Sequence, residues 1–147
     1  MILFGTLLVL ALTFAVPGVV SADPDDGDRA KVRTAVEKLA AAYESRRPEN
    51  VLKLVSIGFS HPLGLERVLM EDYDSYHSAE ILLRTGPVVT GKDSASARVK
   101  WHRKRIERKT GRQEKAEGEA TLYFRLEDGA YKLIRQEGAG FLPALKR

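Results

Sequence analysis

The spacing of apolar residues predicts β-strands in the second half of the chain. Apolar and polar residues alternate over residues 97–102, 120–126 and 131–133. A period of two places every second side chain on the same face of a strand. We therefore expect residues 95–141 to form an antiparallel three-stranded meander, with one apolar face covered by the rest of the protein.

The turn between the first two of these strands indicates their register. If Thr110 and Gly111 form a two-residue hairpin loop, Trp101 lies opposite Ala120 and the apolar residues of both strands share one face. A shift of one residue would turn that face to water. The turn and the apolar pattern therefore agree on the same pairing.

A second hairpin is expected at Asp128 and Gly129, because Asp-Gly is typical of two-residue turns. This turn places Phe124 opposite Leu133, again on the apolar face. Ile134 is an exception, since it is an apolar residue on the side that is otherwise polar. Apart from this position, the alternation is consistent on both sides of the turn.

Helices are predicted in the first half, where apolar residues recur every three or four positions. The longest such segment runs from Arg29 to Arg47. Pro48 is expected to begin a second helix that ends before Gly58, and a third is expected from about Gly64 to Tyr76. Helices followed by a sheet with one apolar face predict an α+β fold, with the N-terminal helices packed in a curved antiparallel sheet.

One further strand is expected before the meander. Residues 79–90 are rich in Ile, Leu and Val, which favour strands. Gly86 and Pro87 interrupt this segment, and a bulge is expected there because proline cannot donate a ladder hydrogen bond. The sequence does not set the register of this strand.

Residues 1–22 have the features of a secretory signal peptide. Residues 2–20 carry no charged side chain, and small residues lead up to Ala22, as signal peptidase requires. A retained membrane anchor is the alternative, because about 20 apolar residues can span a bilayer. The Pro17-Gly18 break favours cleavage, so we predict export to the periplasm or the extracellular space.

The composition is typical of one soluble globular domain, with 44% hydrophobic and 30% charged residues. The chain has no cysteine, which excludes disulfides and thiol catalysis. We predict a single domain over residues 29–142. An acidic lead-in, residues 23–28, is expected before it, with Asp28 capping the first helix, and residues 143–147 are expected to form a C-terminal tail.

Three segments resemble the nuclear-transport-factor-2-like superfamily, which includes the SnoaL-like polyketide cyclases and the ketosteroid isomerases. These segments are AAAYESRRPENVLKLVSIGF, SARVKW and EGEATLYFRLEDGAYKLIRQEGAGF. The resemblance extends over about residues 29–142. It implies a cystatin-like cone, in which a curved sheet wraps around the helices and leaves a cavity at the wide end.

In catalytic members of this superfamily the cavity holds acid and base side chains. The isomerases use an Asp base together with an oxyanion hole made of a Tyr and a protonated Asp. The candidates for such chemistry in this chain are Tyr43, Asp72 and His77. No Asp or Glu is expected on the inward face of the strands, so a small cyclase, isomerase or hydratase is the alternative rather than the leading hypothesis.

The leading hypothesis is a non-catalytic module that binds a small apolar ligand or a protein through the cavity or the sheet surface. Four aromatic residues are expected to line or fill the cavity: Tyr43, Trp101, Phe124 and Tyr131. An open cavity into which Asp72 or His77 points, within hydrogen-bond reach of Tyr43, would favour the enzyme, whereas a cavity filled by aromatics would disfavour it. No cofactor or metal is predicted, because the three histidines lie far apart in the sequence.

Basic residues are concentrated between positions 98 and 115. The residues expected to form a basic surface are Arg103, Lys104, Arg105, Arg108, Lys109 and Arg112. Such a surface could contact an anionic partner or keep strand edges from pairing with other molecules. Nucleic acid is not expected, since the outer face offers only Tyr123 for stacking. Positive charge on this face predicts a monomer or a weak homodimer.

Overall fold

The computed structural model describes residues 24–59 and 61–145. Three helices come first and four strands follow. The helices are α1 (Pro24–Glu44), α2 (Pro48–Leu52) and α3 (Pro62–Ser75). The strands are β1 (Tyr76–Thr90), β2 (Ser94–Glu107), β3 (Gln113–Glu127) and β4 (Ala130–Gly138). They form one antiparallel sheet in the order β1-β2-β3-β4, and the helices pack on one of its faces, as the predicted α+β fold requires.

Helix α1 begins earlier than its apolar pattern predicts. It starts at Pro24, so the acidic segment expected to be a lead-in forms the first turns of the helix. Negative charge is favourable there because of the helix dipole, and Arg29 Nη2 lies 2.7 Å from Asp25 Oδ2, one turn away. Asp28 is therefore inside the helix rather than its cap.

Helices α2 and α3 both begin with a proline. Pro48 starts α2, as predicted, and Pro62 starts α3 two positions before the expected Gly64. Proline suits the first helical position because its missing N–H would have had no partner within the helix. Both starts therefore follow from a local property of the sequence.

Strand β1 follows α3 without a connecting loop and pairs with β2. Leu83 lies opposite Trp101, which is the register that the sequence did not set. The pairing is irregular between Thr85 and Val88, so the bulge predicted at Gly86-Pro87 is confirmed.

The predicted register of β2 and β3 is wrong by two residues. Trp101 lies opposite Gly118 instead of Ala120, because the connection contains four residues, 108–111, rather than two. Gly111 adopts a φ of 68° and donates its N–H to the carbonyl of Glu107 at 2.8 Å. A shift of two residues keeps every side chain on its predicted face, so the covered face is still the expected one.

The size of the Trp101 indole accounts for the observed register. A Cβ atom built at Gly118 would lie 2.9 Å from Trp101 Cζ2 and 2.9 Å from the Cβ of Ala139. Real Cβ atoms do not approach other heavy atoms so closely. Glycine is therefore the residue that fits opposite this ring, and the alanine of the predicted register would not.

The predicted β3–β4 hairpin is confirmed. Asp128 and Gly129 have φ values of 50° and 77°, as a type I′ turn requires, and Phe124 lies opposite Leu133. The register shifts just beyond this pair, which leaves Ile134 as the extra residue of a bulge. The bulge explains why Ile134 interrupts the alternation.

The core lies between the helices and the inner face of the sheet. Its fully buried side chains include Val32, Val36, Leu39 and Tyr43 of α1, Leu65 and Leu69 of α3, and Val99, Leu122, Phe124 and Leu133 of the sheet. Phe141 and Leu142 are also buried, and Leu145 packs partly against the core. The described part of the predicted tail therefore contacts the domain.

None of the described helices is both long and apolar enough to cross a membrane. The predicted signal peptide, and the membrane anchor that is its alternative, lie outside the described residues. Export therefore stays a prediction from the sequence.

Candidate functional site

Buried polar side chains meet where the C-terminal ends of α1 and α3 approach the β2–β3 hairpin. The Tyr43 hydroxyl donates to Asp72 Oδ2 at 2.5 Å. Arg105 Nη1 donates to Asp72 Oδ1 at 2.6 Å. Tyr43 is fully buried, and the side chains of Asp72 and Arg105 are only 12% and 10% exposed. Both carboxylate oxygens of Asp72 therefore have a protein partner.

The same arginine joins this pair to a second carboxylate. Arg105 Nη2 donates to Glu114 Oε1 at 2.5 Å, and the Tyr76 hydroxyl donates to Glu114 Oε2 at 2.7 Å. Glu114 lies directly across the hairpin from Arg105, whose guanidinium also stacks 3.7 Å from the centre of the Tyr76 ring. We call these five residues the tyrosine–arginine network: Tyr43, Asp72, Tyr76, Arg105 and Glu114.

The ionisation of the network follows from its burial and its hydrogen bonds. Burial, supported by the hydrogen bond to Asp72, raises the pKa of Tyr43 to about 12. Burial alone would raise the pKa of Glu114, but hydrogen bonds from Tyr76 and Arg105 outweigh it and lower that pKa. Burial likewise opposes the charge of Arg105, yet Glu114 and Asp72 raise its pKa overall. At neutral pH the phenol of Tyr43 is thus neutral, while Arg105 carries a positive charge and Glu114 a negative one.

An alkaline titration should reveal the buried phenol of Tyr43. Its pKa is 10.0 in an ordinary setting and about 12 here, so its contribution to stability is complete below pH 10 and is lost as the pH rises through 12. Between pH 9 and pH 12, wild type should lose roughly 2 kcal/mol more unfolding free energy than Tyr43→Phe. Urea unfolding at each pH measures both curves. Parallel curves would contradict the raised pKa.

The candidate catalytic residues divide into two groups. Tyr43 and Asp72 are within hydrogen-bond reach of each other, as the enzyme alternative requires. His77 is exposed on β1 and takes no part in the network. The sequence interpretation also missed Glu114, which lies on the inward face where no acid was expected. Counting in steps of two from Trp101 or Phe124 would have placed Arg105 and Glu114 on that face.

The four aromatic residues expected to line or fill the cavity are buried. Tyr43, Trp101, Phe124 and Tyr131 are at most 6% exposed. Four of the pockets formed by the described residues have volumes of about 240 to 580 Å³. Tyr131 and Phe124 each line one of these four, whereas Tyr43, Asp72 and Trp101 line none of them. Trp101 Nε1 also donates to the carbonyl of Ala139 at 2.6 Å, which holds the C-terminal segment against the ring.

The expected basic surface is smaller than predicted. Arg105 is buried, and Arg103 is half-buried with its Nη1 donating to the carbonyl of Phe141 at 3.1 Å. Arg108 Nε donates to the carbonyl of Asp74 at 3.0 Å and so ties the hairpin to the end of α3. Of the six residues named from the sequence, the exposed ones with no such bond are Lys104, Lys109 and Arg112.

Carboxylates lie beside several of the basic residues on the outer face of the sheet. Arg98 and Lys100 lie 3.4 and 3.9 Å from Glu119, and His102 Nδ1 lies 3.0 Å from Glu117 Oε2. Electrostatic repulsion between two copies of the protein that meet through this face is therefore weaker than the basic residues alone suggest. A monomer or weak homodimer stays a prediction.

A groove of about 580 Å³ opens on the same outer face. We call it the outer groove, and the residues that line it are Glu80, Leu82, His102, Arg103, Lys104, Lys115, Ala116 and Glu117. They come from β1, β2 and β3. Leu82 is 74% exposed there, so the groove combines charged side chains with apolar surface that is open to solvent.

Comparisons with known proteins support the fold. No protein-family model and no curated protein matches the chain. Among solved structures, a nuclear transport factor 2 (NTF2)-like superfamily protein from Salmonella enterica serovar Typhimurium matches with a TM-score of 0.67 and 8% identity. The match covers 79% of this chain and 92% of the Salmonella protein.

Two further structures carry names that suggest enzymes. A proposed dehydratase of the NTF2-like family from Streptomyces avermitilis matches with a TM-score of 0.70 and 16% identity, over 80% of this chain and 99% of that protein. A proposed scytalone dehydratase from Novosphingobium aromaticivorans matches with a TM-score of 0.71 and 10% identity, over 78% and 84%. At such identities the likeness concerns the fold alone, and the chain therefore has the NTF2-like α+β fold that its sequence resembles.

Proposed function

We propose that this chain is an exported, non-catalytic protein that binds a small ligand on the outer face of its sheet. The observation that carries the proposal is the outer groove. Its volume of about 580 Å³ is in the range of small-molecule sites, and it joins an exposed apolar residue to a few convergent charged groups. The signal-like residues 1–22 support the exported location.

The interior supports a structural role for the tyrosine–arginine network. A general base must reach a proton of its substrate within hydrogen-bond distance. In this protein Tyr43 and Arg105 already engage the two oxygens of Asp72, while buried aromatic rings occupy the centre of the cone. A network that hydrogen-bonds both oxygens of a buried carboxylate stabilises the fold and leaves the outer face as the better binding surface.

One observation favours a second candidate, an acid–base enzyme. The 2.5 Å contact between Tyr43 and Asp72 brings a phenol and a carboxylate together, as carbonyl and elimination chemistry often uses. Two of the structural neighbours are named as proposed dehydratases. In this alternative, movement of the segment after β4 would open the interior, and Tyr43 would donate a proton or hydrogen bond while Asp72 accepts one.

An NMR screen distinguishes the two candidates. The amide spectrum of the purified protein is recorded while a library of small organic molecules is titrated. The proposal expects saturable shifts that cluster on the residues of the outer groove. Shifts that cluster around Tyr43, Asp72 and Arg105 would instead support the enzyme, and a library that produces no saturable shift at either place would overturn the binding role.

A matched pair of variants tests the position of the site. Leu82→Glu adds a carboxylate to the outer groove, whereas Val89→Glu makes the same kind of change at another exposed apolar residue of β1, outside this groove. Because both side chains are largely solvated, both variants are expected to fold. The first should abolish the shifts and the second should retain them.

A further inference from the structure

We infer that the outer groove recognises a single carboxylate attached to an apolar chain. The inference rests on the proposed function and specifies the ligand class of the same site. It is carried by two lysines that face each other across the β2–β3 hairpin and have no ion-pair partner among the residues that the structure describes. Beside them lies apolar surface that is open to solvent.

Lys104 and Lys115 are direct partners in the β2–β3 register. Like charges directly opposite each other destabilise a sheet, whereas each of the next two pairs along this face contains a carboxylate. His102 meets Glu117 at 3.0 Å in the adjacent row, and Lys100 meets Glu119 at 3.9 Å in the next. The lysine pair therefore departs from the local pattern in a way that an anion bound between the two ammonium groups would compensate.

Edge protection does not account for Lys104. Strand β2 is paired at this position on both sides, with Glu80 of β1 and with Lys115 of β3. A charge that protects against edge-to-edge pairing is needed on a strand with an open side, which β2 lacks here. Cross-strand Cβ atoms lie about 5 Å apart, so two flexible lysines in this position can donate to the same carboxylate.

The other lining residues limit the charge and the shape of the ligand. Glu80 and Glu117 also line the groove, and their carboxylates would repel a ligand that carries a second negative charge. Leu82, exposed over most of its surface, provides apolar contact. A monocarboxylate with a short hydrocarbon chain satisfies both parts of the groove, because its charge meets the lysines while its chain covers Leu82.

Three probes separate the two parts of the ligand. Octanoate carries both the charge and the chain, octanol carries the chain alone, and acetate carries the charge alone. NMR titration of the full chain should show octanoate binding at the outer groove roughly tenfold more tightly than either of the others. Raising the salt concentration should weaken octanoate binding and leave octanol unchanged.

Two double variants with the same loss of charge provide the test of the lysines. Lys104→Gln with Lys115→Gln should weaken octanoate binding roughly tenfold. Lys109→Gln with Arg112→Gln removes two cations from the same hairpin outside the groove, and should change the affinity less than about twofold. Without ligand, the first double variant should be at least as resistant to urea as wild type, because it removes the like-charge pair.

Each contrary outcome points to a specific error. Equal binding of octanol and octanoate in the groove would overturn carboxylate recognition and leave the proposed binding function standing. Binding to vesicles that contain anionic lipid, without binding to dissolved octanoate, would show a membrane surface instead of a free acid and would also overturn the inference. Failure of all probes, together with an empty library screen, would overturn the proposed function itself.

Discussion

Arg105→Met is expected to lower the free energy of unfolding by roughly 3 to 5 kcal/mol, the range for breaking a buried ion pair. The substitution removes the guanidinium that bonds Asp72 at 2.6 Å and Glu114 at 2.5 Å. The Asp72 carboxylate, whose side chain is 12% exposed, would then be left with Tyr43 as its described partner. Urea unfolding at pH 7, followed by tryptophan fluorescence, measures the loss.

The control for this substitution lies on the adjacent residue of the same strand. Lys104→Met also removes one cation, but from the exposed outer face, and should change stability by at most about 0.5 kcal/mol. A second variant separates lost charge from lost packing. Arg105→Met combined with Asp72→Leu should recover part of the loss, because the buried Asp72 carboxylate is no longer present without its cation. A loss below about 1 kcal/mol for Arg105→Met alone would contradict the buried network.

Trp101→Ala is expected to destabilise the protein by about 3 to 5 kcal/mol, as large-to-small changes of buried aromatic residues do. The indole is 5% exposed, packs against Gly118 and donates to the carbonyl of Ala139 at 2.6 Å. Its removal leaves a cavity that the glycine opposite cannot fill. Urea unfolding followed by circular dichroism is the measurement, since the variant lacks the fluorophore.

Trp101→Phe is the matched control for this second substitution. It keeps most of the buried ring but removes the hydrogen bond to Ala139, so it should lose roughly 1 to 2 kcal/mol. Amide exchange of residues 139–142 should also become faster, because the segment would lose one of the side chains that hold it. Equal losses for Trp101→Ala and Trp101→Phe would show that the hydrogen bond, rather than the packing, dominates at this site.

Much of the fold could be predicted because it depends on local patterns. Pro48 is the residue type that starts a helix, Asp128-Gly129 is a dipeptide that forms a type I′ turn, and Gly86-Pro87 interrupts a strand. The start of α1 could not be placed in the same way. Its first turns contain no apolar stripe, and they are helical because acidic residues suit the N-terminal end and pair with Arg29.

Only some residues of the candidate site could be identified from the sequence. Tyr43 and Asp72 were candidates because a family resemblance suggested an acid and a tyrosine, whereas Arg105 was grouped with the exposed basic residues. Its alternation phase is that of Trp101, so its inward direction was present in the pattern. The pattern could not indicate which residue Arg105 pairs with, because Asp72 lies 33 positions away on another element.

The sequence by itself determined which side chains of each strand face the helices, because alternation is a property of neighbouring residues and survives a two-residue shift in pairing. Only the tertiary structure decided which residues of β2 lie opposite those of β1 and β3. The Trp101 ring requires a glycine across the hairpin, and the four-residue connection supplies that register. The register in turn aligns Arg105 with Glu114 and Lys104 with Lys115. Such pairings depend on the distance between strands and on the size of their side chains, which no local pattern contains.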